Sequence, residues 1–378
     1  MLESFLRPLD TDDLISSENL PGSMAYHLRM NTHGTIDLDG VQVAILGVKD
    51  MRFDGLNHGT SAAPDKIRQQ FYRLMKPQSW GTVADLGNIE AGDSLDDTLF
   101  ALQTVLDELH NAGIVSVVLG GSEVLAKRQY EVLKVGNLNL EVVYVGKQVN
   151  LREGSLLNKI VLDQPNHLFN LTTLGYQTYL TEQESLDAME RMYFDLLRVG
   201  EFRAQTEQAE PLLRNAHLCV FDCASIKMSE FPGHYDASPN GLRNEEACLL
   251  TRYAGMGNAM ESIGFYNFNP DFDVQHQSAK QVAQMIWFFL EGCMLRRKED
   301  PLKEPDGFLK YRMGLKSTYD LVFYKSKQTN RWWMELPHPR SGLENTIPVM
   351  VPCTYADYLT ASQDELPDRW WRFYQKYA

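Results

Sequence analysis

The sequence predicts an α/β fold of three layers, a mainly parallel sheet with helices on both faces. Short apolar runs recur along the chain: VQVAILGV (41–48), IVSVVL (114–119), LEVVYV (140–145), HLCVF (217–221) and SIGFYNF (262–268). Each has the length and β-branched content of a strand buried on both faces. Amphipathic stretches of helical period lie between them, and this alternation is the pattern of parallel strands joined by crossover helices.

The elements follow in order. Residues 1–40 are polar and turn-rich and read as a lead-in, with regular structure starting at the 41–48 strand. In SAAPDKIRQQFYRLM, Pro64 suits a first helical turn and Ile67, Phe71 and Leu74 share one face. Ser94 is placed to cap the next helix, whose stripe is Leu95, Leu99, Leu102, Leu106 and Leu109, and Gly113 ends it. The strand at 114–119 leads into a helix over SEVLAKRQYEVL, and the strand at 140–145 into one over TEQESLDAMERMYFDLLRVG. A helix over NEEACLLTRYAGMGNAM separates the strands at 217–221 and 262–268. The last helix of the domain, 278–294, turns Val282, Met285, Ile286, Phe289 and Leu290 inward.

Beyond about residue 298 the pattern changes. KEDPLKEPDG is a charged, proline-punctuated break, YDLVFYKSKQTNRWWMEL reads as two strands around a KQTN turn, and LPDRWWRFYQKYA as a terminal helix. The division expected is a lead-in over 1–40, an α/β domain over 41–297, and a C-terminal extension over 298–378 packed on that domain. Trp332, Trp333, Trp370 and Trp371 either pack this extension down or present a surface to a partner.

Composition narrows the function classes. Fifty acidic against thirty-six basic residues give a net charge of −14, which argues against a nucleic-acid or anionic-membrane partner. No run of eighteen apolar residues occurs, and MLESFLRPLDTDDL has neither the basic nor the apolar region of a signal peptide. Five scattered cysteines without a C-x-x-C pair fit a reduced, cytoplasmic protein.

In parallel sheets, sites form at the carboxyl ends of the strands. That brings Gly120–Glu123, Gly146–Asn150, Asp222–Lys227 and Asn267–Asp273 around one pocket. Their loops, in order, resemble those of the ureohydrolases: arginase, agmatinase and formimidoylglutamase. HGTSAAPDKIR (58–68) is similar to the family's G-x-x-x-GPxAIR, VVLGGSEV to its GGDHS segment, and VGKQVNLR (145–152) to DAHxDxR. VFDCASIKMSEFPGHYDASPNGL (220–242) follows SFDxDxxDPxxAPGTGTPEPGGL without a gap, keeping Phe221, Asp222, Pro232, Gly233, Pro239, Gly241 and Leu242. FYNFNPDFD (265–273) is similar to VEVNPxxD. The resemblance spans roughly 41–295, implies the arginase-like fold, and leans to formimidoylglutamase and agmatinase through Leu151 and Arg152.

The resemblance also implies two manganese ions sharing a hydroxide that attacks a guanidinium or amidine carbon. Carried over position by position, the six ligands become Glu123, Gly146, Gln148, Asn150, Asp222 and Ala224, so that only Asp222 is kept. Two dications about 3.5 Å apart repel by about 20 kcal/mol at an effective dielectric of about 20, which carboxylates must offset. Gly146, Gln148 and Asn150 cannot do this, Lys147 and Lys227 add positive charge, and Asn267 stands for the carboxylate that holds the substrate's cationic end. The expectation is a vestigial site without cofactor in a non-catalytic protein that binds a protein partner or itself.

An alternative is a divergent hydrolase of formimino or guanidino C–N bonds with one metal or none. Its site would use Asp222, Cys223, His234 and Asp236, with a single Mn2+ or other divalent cation at Asp222, Glu123 and His234. A third is a small-molecule sensor using the old cleft. Each residue has a plainer role as well. Asp222 can pair with Lys227 or Lys147, Ser122 and Glu123 can cap a helix, and Cys223 can be a buried, inert thiol.

Overall fold

The computed structural model describes residues 2–52, 57–314, 320–337 and 348–377. Nine parallel strands form the central sheet: β1 Arg29–Met30, β2 Val43–Lys49, β3 Val83–Glu90, β4 Val115–Leu119, β5 Leu140–Val145, β6 Leu168–Tyr176, β7 Asp195–Arg198, β8 Leu218–Asp222 and β9 Ser262–Tyr266. Their order is β1-β3-β2-β4-β9-β8-β5-β6-β7. The four adjacent strands at the centre, β4, β9, β8 and β5, therefore carry the four loops that the sequence brings together.

Helices cover both faces over two apolar layers, giving the three-layer αβα arrangement. On one face the helices Asn244–Met256 and Gln277–Leu295 lie against each other, and Val282, Met285, Ile286, Phe289 and Leu290 are all buried. Their approach needs glycine: a Cβ on Gly255 would stand 2.1 Å from the Phe289 carbonyl oxygen, and one on Gly292 2.5 Å from that of Arg252. Among the described residues no helix is long and apolar enough to cross a membrane.

Several elements depart from the pattern read in the sequence. β3 is a full strand, yet VADLGNIE carries buried Asp85 and Asn88. Arg68 satisfies both: its Nε and Nη2 each donate to Asp85 at 2.9 Å and its Nη1 to Asn88 at 2.6 Å. The stretch 181–200 is not one helix. Helix Gln183–Arg191 stops, Tyr193 takes φ 57°, and β7 forms before a second helix, Val199–Ala204. Here strand pairing with β6 outweighs helix propensity.

Regular structure also starts before residue 41, because β1 pairs with β3 and Leu2, Leu6, Leu9, Leu14 and Met24 are buried. The helix Leu95–Asn111 begins as expected, with Ser94 and Asp97 forming a reciprocal cap. Its first leucine, however, is 37% exposed, and the buried stripe is Thr98, Ala101, Leu102, Val105, Leu106 and Leu109.

The C-terminal residues build a second, antiparallel sheet in the order β10 Phe308–Gly314, β11 Asp320–Ser326, β12 Trp332–Leu336 and β13 Val349–Cys353. It is joined to the larger sheet's helices by polar contacts. Arg214 donates from Nη1 to the Trp332 carbonyl at 2.7 Å and lies 4.4 Å over the Trp333 ring, while Arg331 pairs with Glu210 at 3.0 Å. The terminal helix Asp368–Tyr377 reaches the last two strands of the larger sheet, where Arg369 pairs with Asp195 of β7 and Lys376 donates to Asn170 of β6. Trp332, Trp333 and Trp370 are buried; Trp371 is 43% exposed.

Candidate functional site

The site is assembled at the carboxyl ends of the four central strands. After β4 the chain turns tightly, since a Cβ on Gly121 would stand 2.8 Å from the Asp50 carbonyl oxygen. Ser122 then caps the short turn Glu123–Leu125, its Oγ accepting from Val124 N at 3.4 Å. Of the two residues read as caps, Ser122 makes the capping bond. Glu123 also opens that turn, and its carboxylate accepts a 2.6 Å hydrogen bond from the Tyr144 hydroxyl.

Tyr144 is the residue that the motif comparison misses. It lies on β5 two positions before Gly146, so the two point to the same side of the strand. A Cβ on Gly146 would meet Tyr144 Cε1 at 2.1 Å and the ring oxygen-bearing carbon at 2.7 Å. The ring thus takes the space that a side chain at 146 would need. Burial pushes the Tyr144 phenol well above its ordinary pKa, and the charges of Glu123 and Asp222 add to this, so it remains a proton donor. The period-two alternation of β5 is the sequence signal for this residue.

Asp222, at the end of β8, is 6% exposed. Its Oδ1 accepts from Ala224 N at 3.0 Å and from Asn267 Nδ2 at 2.9 Å. The ion pair considered for it does not form. Lys147 pairs with Asp236 at 2.6 Å and Lys227 with Glu230, so both lysines are turned to other carboxylates. Asn267 follows β9 with φ 65°, a left-handed conformation that asparagine tolerates better than most side chains, and donates its N–H to the Gly121 carbonyl at 2.7 Å. It therefore ties β9 to β4 and to the β8 carboxylate at once.

The remaining candidates disperse. Cys223 is fully buried in the apolar layer, and burial together with the Asp222 charge pushes its thiol well above the ordinary value. Such a thiol stays protonated near neutral pH, and the thiol is the weaker nucleophile of its two forms. His234 is buried, and its Nδ1 accepts from Asp236 N at 2.9 Å, which leaves the proton on Nε2. Burial lowers its pKa against the opposing pull of Asp222, so the ring is neutral near pH 7. Asp236 is exposed and engaged by Lys147. Asn150 turns to its own loop, where its Oδ1 accepts from Arg152 N at 3.1 Å; Gln148 is half-buried beside it. Ala224 is buried and its side chain has no atom that could ligate a metal.

Among the described residues no group of three or more histidines, cysteines, aspartates or glutamates has the geometry to hold a metal ion. The residues present do not fit a binuclear manganese centre, nor do Asp222, Glu123 and His234 form a single-ion cage.

A nine-stranded parallel sheet between two helical layers is a fold that this chain shares with solved formiminoglutamases and an arginase. The chain superposes on Trypanosoma cruzi formiminoglutamase solved with manganese at a TM-score of 0.62 and 17% identity, over 69% of this chain and 96% of that one. Formimidoylglutamase from Bacillus subtilis gives 0.64 and 15%, over 72% and 92%. Arginase from Bacillus subtilis gives 0.55 and 16%, over 66% and 98%. No protein-family profile and no curated protein matches the sequence.

Proposed function

We propose that this chain is a ureohydrolase-like protein whose chemistry has been removed, acting as a non-catalytic binding or scaffold protein. The observation that carries the reading is the Tyr144 ring over Gly146, with its hydroxyl donated to Glu123. Hydrogen bonds among protein groups occupy the carboxylates that a metal would need, Glu123 by Tyr144 and Asp222 by Asn267 and Ala224. The retained fold, free of the requirement to bind two cations, supports a role carried by its surfaces, with a second copy of the chain or another protein as partner.

A second reading, a divergent hydrolase of linear amidines, draws on one feature. Asp222 is buried with no cationic side chain paired to it among the described residues, and neutral His234 lies nearby.

Metal content by mass spectrometry, after dialysis of the full-length protein against manganese, tests the proposal. Less than about 0.2 equivalents per chain, with no release of urea, formamide or ammonia from arginine, agmatine or formimidoylglutamate, is the expected result. Two equivalents would overturn it. One equivalent that disappears in Asp222→Ala, accompanied by turnover, would establish the second reading instead.

A further inference from the structure

We infer that a cavity beside the vestigial site binds a small, multiply charged anion carrying a phosphate group. The cavity, of about 380 Å³, lies where the end of β6 and the start of helix Val199–Ala204 meet the loop after β8. Arg198, Arg203, Lys227 and Arg243 line it, with the side chains of Tyr176 and Tyr179 forming part of the wall. None of its lining residues is acidic. Four cations line this one cavity in a chain with fifty acidic and thirty-six basic residues; three of them pair with carboxylates just outside the lining, which leaves Arg243 as the uncompensated charge and a local excess of positive potential.

The carboxylates that pair with these cations stand outside the lining and hold them in place. Glu246 takes Arg203 through both oxygens, at 2.7 and 3.0 Å, and also accepts the Arg243 N–H at 2.8 Å. Arg203 reaches the Gly241 carbonyl at 3.1 Å, which fixes the loop to the same group. Arg198 is paired with Glu201 through Nε, and Lys227 with Glu230. Arg243 makes no ion pair among the described residues. Arginine has five N–H donors and lysine three, so most of the donors remain open.

Guanidinium forks match the oxygens of phosphate, and such charge-assisted bonds are stronger than neutral ones. The volume is that of a small-ligand pocket and too small for a folded polypeptide. Asp222, Glu123 and His234 are not among the lining residues, so the inference stands whether or not the old cleft has activity.

Calorimetry on the full-length protein with inorganic pyrophosphate, at low salt and again at 150 mM NaCl, tests it, with ribose 5-phosphate run beside it. Saturable one-site binding is expected at both salt concentrations, weakened at least tenfold in the double variant Arg198→Gln, Arg243→Gln. These two side chains hold at most one exposed ion pair, so the variant should melt with the wild type, which separates lost binding from lost folding. Tighter binding of pyrophosphate identifies a free polyphosphate as the source, and tighter binding of the sugar phosphate an ester. Absence of saturable heat at millimolar ligand, or equal affinity in the double variant, overturns the inference.

Discussion

Tyr144 decides more about this site than any residue the family motifs mark. Its hydroxyl is bonded to a carboxylate and its ring abuts a position that has no side chain. Gly146→Asp, the substitution that restores a ligand position, should therefore destabilise the protein by about 2 kcal/mol or more, because a new side chain meets a buried ring beside two existing carboxylates. It should recover no manganese. Paired with Tyr144→Ala, the stability loss from the collision should fall below the sum of the two single changes, a coupling that a double-mutant cycle in urea would measure. Equal and additive costs would show that the ring does not obstruct position 146. That Gly146, Gln148, Asn150, Ala224 and Asn267 stand at the motif positions was legible in the sequence. The Tyr144–Glu123 and Asn267–Asp222 bonds were not, because they join strands whose adjacency only the fold supplies.

Elements were legible in proportion to how apolar they are. β4, β5, β8 and β9 are buried almost throughout, and their runs of Val, Leu, Ile and Phe announce this. β3 was hidden by Asp85 and Asn88, whose polarity is neutralised by one arginine from a neighbouring helix. β7 was hidden in a helix-like stretch, since its four residues gain their identity from the edge of β6. Arg68 is fully buried, and Asp85 also accepts from the Tyr72 hydroxyl at 2.9 Å. Replacing Arg68 by Met leaves a buried carboxylate without its cation, at a cost of about 3–5 kcal/mol. Since domains have only about 5–15 kcal/mol of stability, chemical denaturation should show a midpoint near the loss of folding for Arg68→Met. A shift under about 1 kcal/mol would mean that Tyr72 and the backbone alone can hold Asp85.

Across the whole molecule, the smaller sheet and terminal helix are joined to the larger one by buried carboxylates. Burial by itself would raise the pKa values of Asp195 and Glu210. The charges of Arg369 and Lys376 on the first, and of Arg214 and Arg331 on the second, outweigh burial and hold both below the ordinary carboxyl range. With folded pKa values depressed, these pairs contribute stability above the unfolded values near 4 and lose it as pH falls through the lower folded ones. Tryptophan fluorescence should therefore report loosening around Trp332, Trp333 and Trp370 below about pH 4, and none between pH 6 and 8. Loosening that began near pH 6 would point to histidine instead.

The crowding of Gly146 by Tyr144 also bears on descent. On the proposed reading, an ancestor with two metals carried a carboxylate where this chain has a ring edge. Returning there by single steps means passing either through a side chain forced into an occupied space or through a hole left by the missing ring. Each intermediate is less stable than its neighbours and gains no activity, so selection has nothing to hold on to midway. On that reading, one tolerated change becomes, once the ring has settled, a door that closes in one direction.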